Sequence, residues 1–182
     1  MDTVLGSGLI IKVPEAEPAV GEPRSRLDGN ARLGNPAHIT VIFPFMPPAY
    51  IDDDVLRRLT DIFAAVPAFG HRLVRTSWFG EDVLWLAPDD DAPFRSLTES
   101  VHQAFPDYPP FGGQYEDVVP HLTIADRGPL DQMQAAALRV EKHLPISCVA
   151  RGVSLMVQRH ASGAWTRADW FALGDISGVD LS

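Results

Sequence analysis

The chain has 182 residues, which suits a single domain that buries its own hydrophobic core. Its 15 lysines and arginines against 24 aspartates and glutamates give a formal net charge of −9, which disfavours binding to duplex DNA. The single cysteine, Cys148, excludes an internal disulfide and a cysteine-rich zinc site. No apolar run approaches the roughly 20 residues of a membrane span, and the first residues lack a signal-peptide pattern. We therefore expect a cytoplasmic protein with no membrane partner.

Hydrophobic periodicity predicts both strands and helices, joined mainly by short turns. Strands are predicted, in chain order, over Gly8–Val13, His38–Phe45, His71–Phe79, Val83–Ala87, Val118–Ala125, Ile146–Gln158 and Trp165–Leu173. Helices are predicted over Ile51–Ala65, after the acidic residues 89–91, and over Leu130–Leu144. The proline-rich residues 14–37 predict a loop with one short helical turn. The last two strands are predicted to pair around Ser162 and Gly163.

The short connections between strands favour mostly antiparallel sheets with helices packed on one side, an α+β class. Along the strand His38–Phe45, alternation predicts two faces. One face is apolar and should be buried in the core: Ile39, Val41, Phe43 and Phe45. The other face carries His38, Thr40 and Ile42.

An internal repeat carries two histidines. The segment His38-Ile-Thr-Val recurs as His121-Leu-Thr-Ile, 83 residues further along the chain. Each copy follows a nearby proline, and each is followed by a turn and an amphipathic helix. This pattern is typical of two similar halves that face each other across a pseudo-twofold axis, within one bilobal domain over residues 1–182.

Each copy of the repeat places an imidazole and a hydroxyl on one face of a strand, because residues i and i+2 share a face. Two such strands side by side would bring two imidazoles to one cleft. That arrangement suits displacement at phosphorus, in which a neutral imidazole takes a proton from the attacking oxygen and a protonated one gives a proton to the leaving oxygen. Histidine suits both roles because its ordinary pKa is about 6.5. The alternative interpretation is two histidines at strand starts that only bond backbone carbonyls.

The paired segments resemble the two signature tetrads of the 2H phosphoesterases, a superfamily that includes the bacterial 2′-5′ RNA ligase-like proteins. The resemblance extends from the first predicted strand to the last. It implies a bilobal α+β fold in which the tetrads lie on central strands of a shared cleft. It also implies metal-independent hydrolysis of a 2′,3′-cyclic phosphate or a 2′-5′ phosphodiester, with His38 and His121 catalytic and with Thr40 and Thr123 binding the phosphate. No cofactor is implied.

The resemblance leaves the substrate open. The first expectation is a small nucleotide, since the net charge of −9 weakens binding to long RNA. The alternatives are an RNA-end-processing or 2′-5′ RNA ligase-type enzyme, and a catalytically silent nucleotide sensor. We expect a monomer.

Two further residues are candidates for substrate binding. Tyr115 lies in a glycine-containing loop that leads into the second tetrad, where its ring would stack on a base. Arg26 is the selected candidate among three arginines that precede the first tetrad, because a guanidinium binds phosphate in a bidentate manner. No histidine-rich metal motif is present in the sequence, so no metal ligand is predicted.

Overall fold

Two four-stranded antiparallel sheets form the framework of the molecule, in a computed structural model that describes residues 6–159 and 163–175. The strands are β1 (Gly6–Lys12), β2 (His38–Ile42), β3 (Phe69–Phe79), β4 (Val83–Pro88), β5 (Leu122–Asp126), β6 (Ile146–Ala150), β7 (Gly152–Gln158) and β8 (Thr166–Ala172). Their order is β2-β1-β7-β8 in the first sheet and β5-β4-β3-β6 in the second. The predicted α+β class with mostly antiparallel sheets is confirmed.

Five α-helices accompany the sheets in the described part of the chain. They are α1 (Glu17–Leu27), α2 (Gly29–Arg32), α3 (Asp53–Ala64), α4 (Ala92–Ala104) and α5 (Leu130–Glu141). The three helices predicted from periodicity, α3 to α5, are confirmed within a few residues at their ends. The Asp52 side chain caps α3 by accepting a hydrogen bond of 2.9 Å from the Val55 backbone N–H. Within the described residues, no helix has the length and apolar character needed to cross a bilayer.

The prediction of a loop over residues 14–37 is wrong, because α1 and α2 occupy much of it. Pro18 lies in the first turn of α1, where its missing N–H has no helical partner, while Pro23 lies inside the helix. Val20 and Leu27 of this helix are buried. Burial of one helix face stabilises α1 despite its two prolines. The loop was predicted from the positions of the prolines, which do not indicate whether the segment is buried.

The predicted strand over residues 146–158 is two strands in different sheets, which corrects the sequence interpretation. β6 pairs with β3 in the second sheet, whereas β7 pairs with β1 and β8 in the first. Both segments are apolar, so periodicity alone does not reveal that the chain changes sheets at Arg151. β7 and β8 form the predicted antiparallel pair, and Ser162 of the predicted turn lies outside the described residues.

The two strands of the repeat, β2 and β5, each lie at the edge of their own sheet. They are therefore not the central strands that the family resemblance implied. The two edges approach each other where the sheets meet, so the strands are central only in the molecule as a whole. Side chains from both edges can consequently face one shared cleft.

Candidate active site

β2 and β5 present the same two kinds of side chain at matching positions. His38 and Thr40 are half-buried on β2, and so are His121, which directly precedes β5, and Thr123 within it. The neighbours that alternate with them are at most 3% exposed: Ile39, Val41, Leu122 and Ile124. Each strand thus anchors itself through an apolar face while it offers one imidazole and one hydroxyl on the other.

A β-bulge follows the threonine in both strands. On β1 the consecutive residues Leu9 and Ile10 pair with Ile42 and Thr40, which leaves Val41 as an extra residue on β2. On β4 the consecutive residues Leu84 and Trp85 pair with Ala125 and Thr123, which leaves Ile124 as the extra residue on β5. A bulge shifts the alternation by one residue, so side chains beyond it exchange faces.

The bulge in β2 overturns part of the predicted alternation. Ile42 was expected beside Thr40, but it is buried at 1% exposure. Phe43 was expected in the core, but it is 40% exposed. The sequence segment shows no glycine or proline within the bulge itself that would have signalled the shift.

The two imidazoles are oriented by matching hydrogen bonds. Nδ1 of His38 donates to the carbonyl of Pro36 and Nδ1 of His121 donates to the carbonyl of Val119, both at 2.7 Å. A carbonyl can only accept, so each neutral ring carries its proton on Nδ1. The lone pair of Nε2 is then available on each ring. The backbone contacts of the alternative interpretation are therefore present, but they use only one nitrogen of each imidazole.

Burial disfavours the charged form of both imidazoles. Desolvation lowers the pKa of His38 to about 4, against the opposing effect of its hydrogen bond to Pro36. The positive charges of Arg24 and His121 lower the same pKa further, while Asp28 raises it. Desolvation also lowers the pKa of His121, opposed by its bond to Val119. A positive charge on His121 thus disfavours a second positive charge on His38.

A buried polar network supports the segment that leads into β2. Arg24 and Asp28 are 3% and 2% exposed, and the guanidinium donates to the Asp28 carboxylate at 3.1 Å. Arg24 also donates to the carbonyl of Asn35 at 3.1 Å, and the backbone N–H of Ala37 donates to the Glu17 carboxylate at 2.8 Å. These bonds connect α1 to the residues just before His38, a positioning role that the sequence did not reveal.

Aromatic rings hold the imidazole of His121. The ring of Phe79 lies edge-on to it at 5.0 Å between centroids, and that of Trp85 lies at 5.8 Å. Phe79 and Trp85 stack on each other at 4.7 Å. Such packing restricts the imidazole to one orientation and excludes water from part of its surface.

A cavity of about 510 Å³ opens beside His121 and Thr123. Its walls include the rings of Phe79, Phe111 and Tyr115. Phe111 adopts the left-handed backbone conformation with φ 49° and ψ 32°, which is uncommon for a residue with a side chain. Its backbone N–H donates to the carbonyl of Phe43 at 2.7 Å, so the loop over the cavity is tied to the end of the first repeat.

The two remaining candidates for substrate binding occupy different places. Tyr115 lines the cavity, is 62% exposed and lies edge-on to Phe111 at 5.7 Å. Arg26 is not among the residues that line the cavity. It pairs instead with Glu22 at 2.6 Å along the same helix. No group of three or more metal-binding side chains occurs within residues 6–159 and 163–175.

A family model described as the 2′-5′ RNA ligase superfamily matches residues 13–161, which include both tetrads. The chain belongs to this superfamily. Comparison with curated protein sequences finds no match.

The fold of this superfamily member is similar to the folds of several solved structures, E. coli LigT among them. E. coli LigT in complex with NADP⁺ is 16% identical with a TM-score of 0.57, over 94% of this chain and 98% of LigT. The protein TT0787 of Thermus thermophilus is 19% identical with a TM-score of 0.62, over 93% and 98% of the two chains. A structure described as a phosphoesterase is 16% identical with a TM-score of 0.58, over 94% and 99%. At these identities the likeness establishes the bilobal fold.

Proposed function

We propose that the protein is a metal-independent phosphodiesterase that hydrolyses a 2′,3′-cyclic phosphate or a 2′-5′ phosphodiester of a small nucleotide. The observation that carries the proposal is the duplicated Nδ1 hydrogen bond, which gives both imidazoles the same tautomer and leaves two Nε2 atoms for proton transfer. Membership of the superfamily supports a phosphoesterase or ligase of this general kind.

In the proposed reaction, a water oxygen forms a bond to phosphorus while Nε2 of neutral His38 takes its proton. The bond from phosphorus to the leaving ribose oxygen breaks, and Nε2 of protonated His121 gives that oxygen a proton. Burial lowers the pKa of both imidazoles and keeps His38 neutral, which suits the base. The negative charge of a bound phosphate opposes this effect and favours the protonated form of His121, which suits the acid. Thr40 and Thr123 donate hydrogen bonds to the non-bridging oxygens, where negative charge develops.

The cavity beside His121 supports a nucleotide as the substrate. Its volume of about 510 Å³ lies within the range of small-molecule sites. Three aromatic rings in its wall suit the flat faces of a base. Among them, we propose that the ring of Tyr115 stacks on the base.

A second candidate function, action on an RNA end, is favoured by a separate cationic pocket on the first sheet. Lys12 pairs with His38 across β1 and β2, and it lines a pocket of about 200 Å³ together with Arg151 and Arg167. Trp170, Ser154 and the acidic Glu15 also line this pocket. A strand of RNA that leaves the phosphate site across this face would meet cations despite the net charge of −9.

The test is turnover of 2′,3′-cyclic nucleotides and 2′-5′ dinucleotides by the purified protein, with the His38→Ala/His121→Ala double variant as the inactive control. We expect hydrolysis by the wild type in the presence of EDTA, because two imidazoles supply the acid and the base. Loss of activity with EDTA that one divalent ion restores would indicate a metallohydrolase instead. Binding without turnover would favour the silent sensor.

Salt dependence separates the small nucleotide from the RNA end. Action on RNA would be favoured if the affinity for a single-stranded RNA falls steeply as the salt concentration rises. The same affinity should fall less steeply with salt in the Lys12→Met variant. A small nucleotide that binds as tightly as the longer RNA would favour the first candidate.

A further inference from the structure

Asp126 shares the cavity with His121 and Thr123, although strict alternation from Thr123 would point residue 126 towards the core. The bulge at Ile124 changes the parity of the strand, and Ala125 is buried while Asp126 lines the cavity. The carboxylate lies three residues beyond Thr123, roughly 10 Å along the strand. If the phosphate of a ligand lies at Thr123, the Asp126 carboxylate is therefore close to the part of that ligand farthest from the phosphate.

The equivalent position in the first repeat is Phe43. Both repeats share the histidine, the threonine, the bulge and, three residues after the threonine, a side chain that is at least partly exposed. Phe43 is 40% exposed on the face that carries Thr40, and it lies over Gly8 of the neighbouring strand. The two halves therefore match until residue 43 or 126, where one offers an aromatic ring and the other a carboxylate. This difference breaks the symmetry of the cleft and gives a ligand a defined direction.

The Asp126 carboxylate has unused capacity to accept hydrogen bonds. Its Oδ1 atom is buried and has no hydrogen-bond partner among the described residues. Nε of Arg127 lies 3.7 Å from this oxygen, beyond hydrogen-bond distance, and that side chain is 83% exposed. Asp117, the other carboxylate in the wall, already pairs with Arg95 at 2.6 Å. The Asp126 side chain as a whole is 38% exposed, so the rest of the carboxylate is open to a ligand in the cavity and can accept a hydrogen bond from it.

We propose that Asp126 accepts a hydrogen bond from an exocyclic amino group of the nucleobase, so that the cavity selects amino-bearing bases over uracil. The proposal rests on the proposed function for the identity of the ligand as a nucleotide. An ionised carboxylate is only an acceptor, and it pairs with the amino group of cytosine but repels the carbonyl oxygen that uracil carries at the same place.

The test compares two ligands of equal size, 3′-CMP and 3′-UMP, by equilibrium binding, and their 2′,3′-cyclic counterparts by kcat/KM. Wild-type protein should prefer the cytosine ligand by about ten- to 150-fold, the effect of one hydrogen bond to a charged acceptor. Asp126→Asn should bring the ratio near one, because an amide can turn either its oxygen or its nitrogen to the base. Asp126→Ala should also lose the preference.

Asp82→Asn is the matched control, since this exposed residue lies in the turn beside the cavity and does not line it. It removes the same charge and should leave the ratio unchanged. Equal affinity of the wild type for both ligands, or a preference that survives in Asp126→Asn, would overturn the proposal. A binding preference that depends on Asp126 in a protein without turnover would support the proposal and reject only the proposed hydrolysis.

Discussion

His38 and His121 are oriented by carbonyls two residues before them, at Pro36 and Val119. The same local hydrogen bond, from Nδ1 to the carbonyl two residues earlier, therefore occurs in both repeats. A free Nε2 on each ring is a consequence of the tautomer rather than of the histidine alone. The orientation of these two side chains therefore determines which nitrogen atoms are available for the proposed proton transfers.

Removal of either imidazole should abolish one proton transfer. We expect His38→Ala and His121→Ala each to lower kcat by roughly a hundred- to ten-thousandfold. The double variant should lose less than the product of the two losses, since the groups act as one unit. His143→Ala, at an exposed histidine, is the control. Near-normal kcat in either single variant would remove the imidazoles from the mechanism.

The threonines should contribute less than the histidines. Thr40→Val and Thr123→Val preserve side-chain shape and remove one hydrogen bond to the phosphate, which is worth about 1.5–3 kcal/mol. The expected loss in kcat/KM is about ten- to 150-fold. Steady-state kinetics on a cyclic nucleotide measures it, and an unchanged kcat/KM would show that the hydroxyls do not contact the reacting group.

The pH dependence should report both imidazoles. The reaction needs one ring neutral and the other protonated, so kcat/KM should follow a bell-shaped curve. Because burial lowers both pKa values, the acidic limb should lie below the ordinary histidine pKa of about 6.5. A profile that stays flat from about pH 4 to 8 would contradict proton transfer by these groups.

At the scale of elements, α1 and the segment before β2 depend on a buried ion pair. Arg24→Met would leave the Asp28 carboxylate buried without its partner, which costs about 3–5 kcal/mol. We expect a loss of that size in the free energy of unfolding, measured by urea denaturation. Arg57→Met removes an exposed ion pair and should cost less than about 1 kcal/mol.

The paired variant Arg24→Met/Asp28→Asn tests the cause of that loss. Asparagine keeps the cap on α2 but carries no charge, so the double variant should be more stable than Arg24→Met alone. Equal stability of the two would mean that the lone carboxylate is not what destabilises the single variant.

At the scale of the whole molecule, buried neutral histidines link stability to pH. His71 is 7% exposed, its ring packs edge-on against Phe94 at 5.0 Å, and burial lowers its pKa. The unfolded chain has the higher histidine pKa, about 6.5, and so binds more protons than the folded chain below that pH. Stability should therefore be full above about pH 6.5 and fall as the pH drops.

His71→Phe should reduce this pH dependence, since phenylalanine suits the aromatic neighbours and cannot take a proton. The free energy of unfolding at about pH 5 and about pH 7.5, on either side of the ordinary histidine pKa, gives the comparison by urea titration. The difference between the two pH values should be smaller in the variant than in the wild type. An equal difference would assign the pH dependence to other groups, including His38 and His121.

Local rules of sequence were enough to establish the repeat, the fold class and the pairing of an imidazole with a hydroxyl on each strand. Period and spacing specify which residues share a face, and they need no knowledge of distant segments. The helix α1 escaped prediction because burial outweighs the effect of its prolines. The change of sheet at Arg151 escaped because two apolar strands look like one.

The surroundings of the two tetrads, by contrast, depend on tertiary structure. The bulges at Val41 and Ile124 depend on the register with β1 and β4, and they turn Phe43 and Asp126 to the faces that carry the threonines. The cavity wall joins rings from β3 and from the loop before β5, which are far apart in the chain. Such contacts arise from sheet pairing between distant segments, and a local pattern of hydrophobic residues carries no record of that pairing.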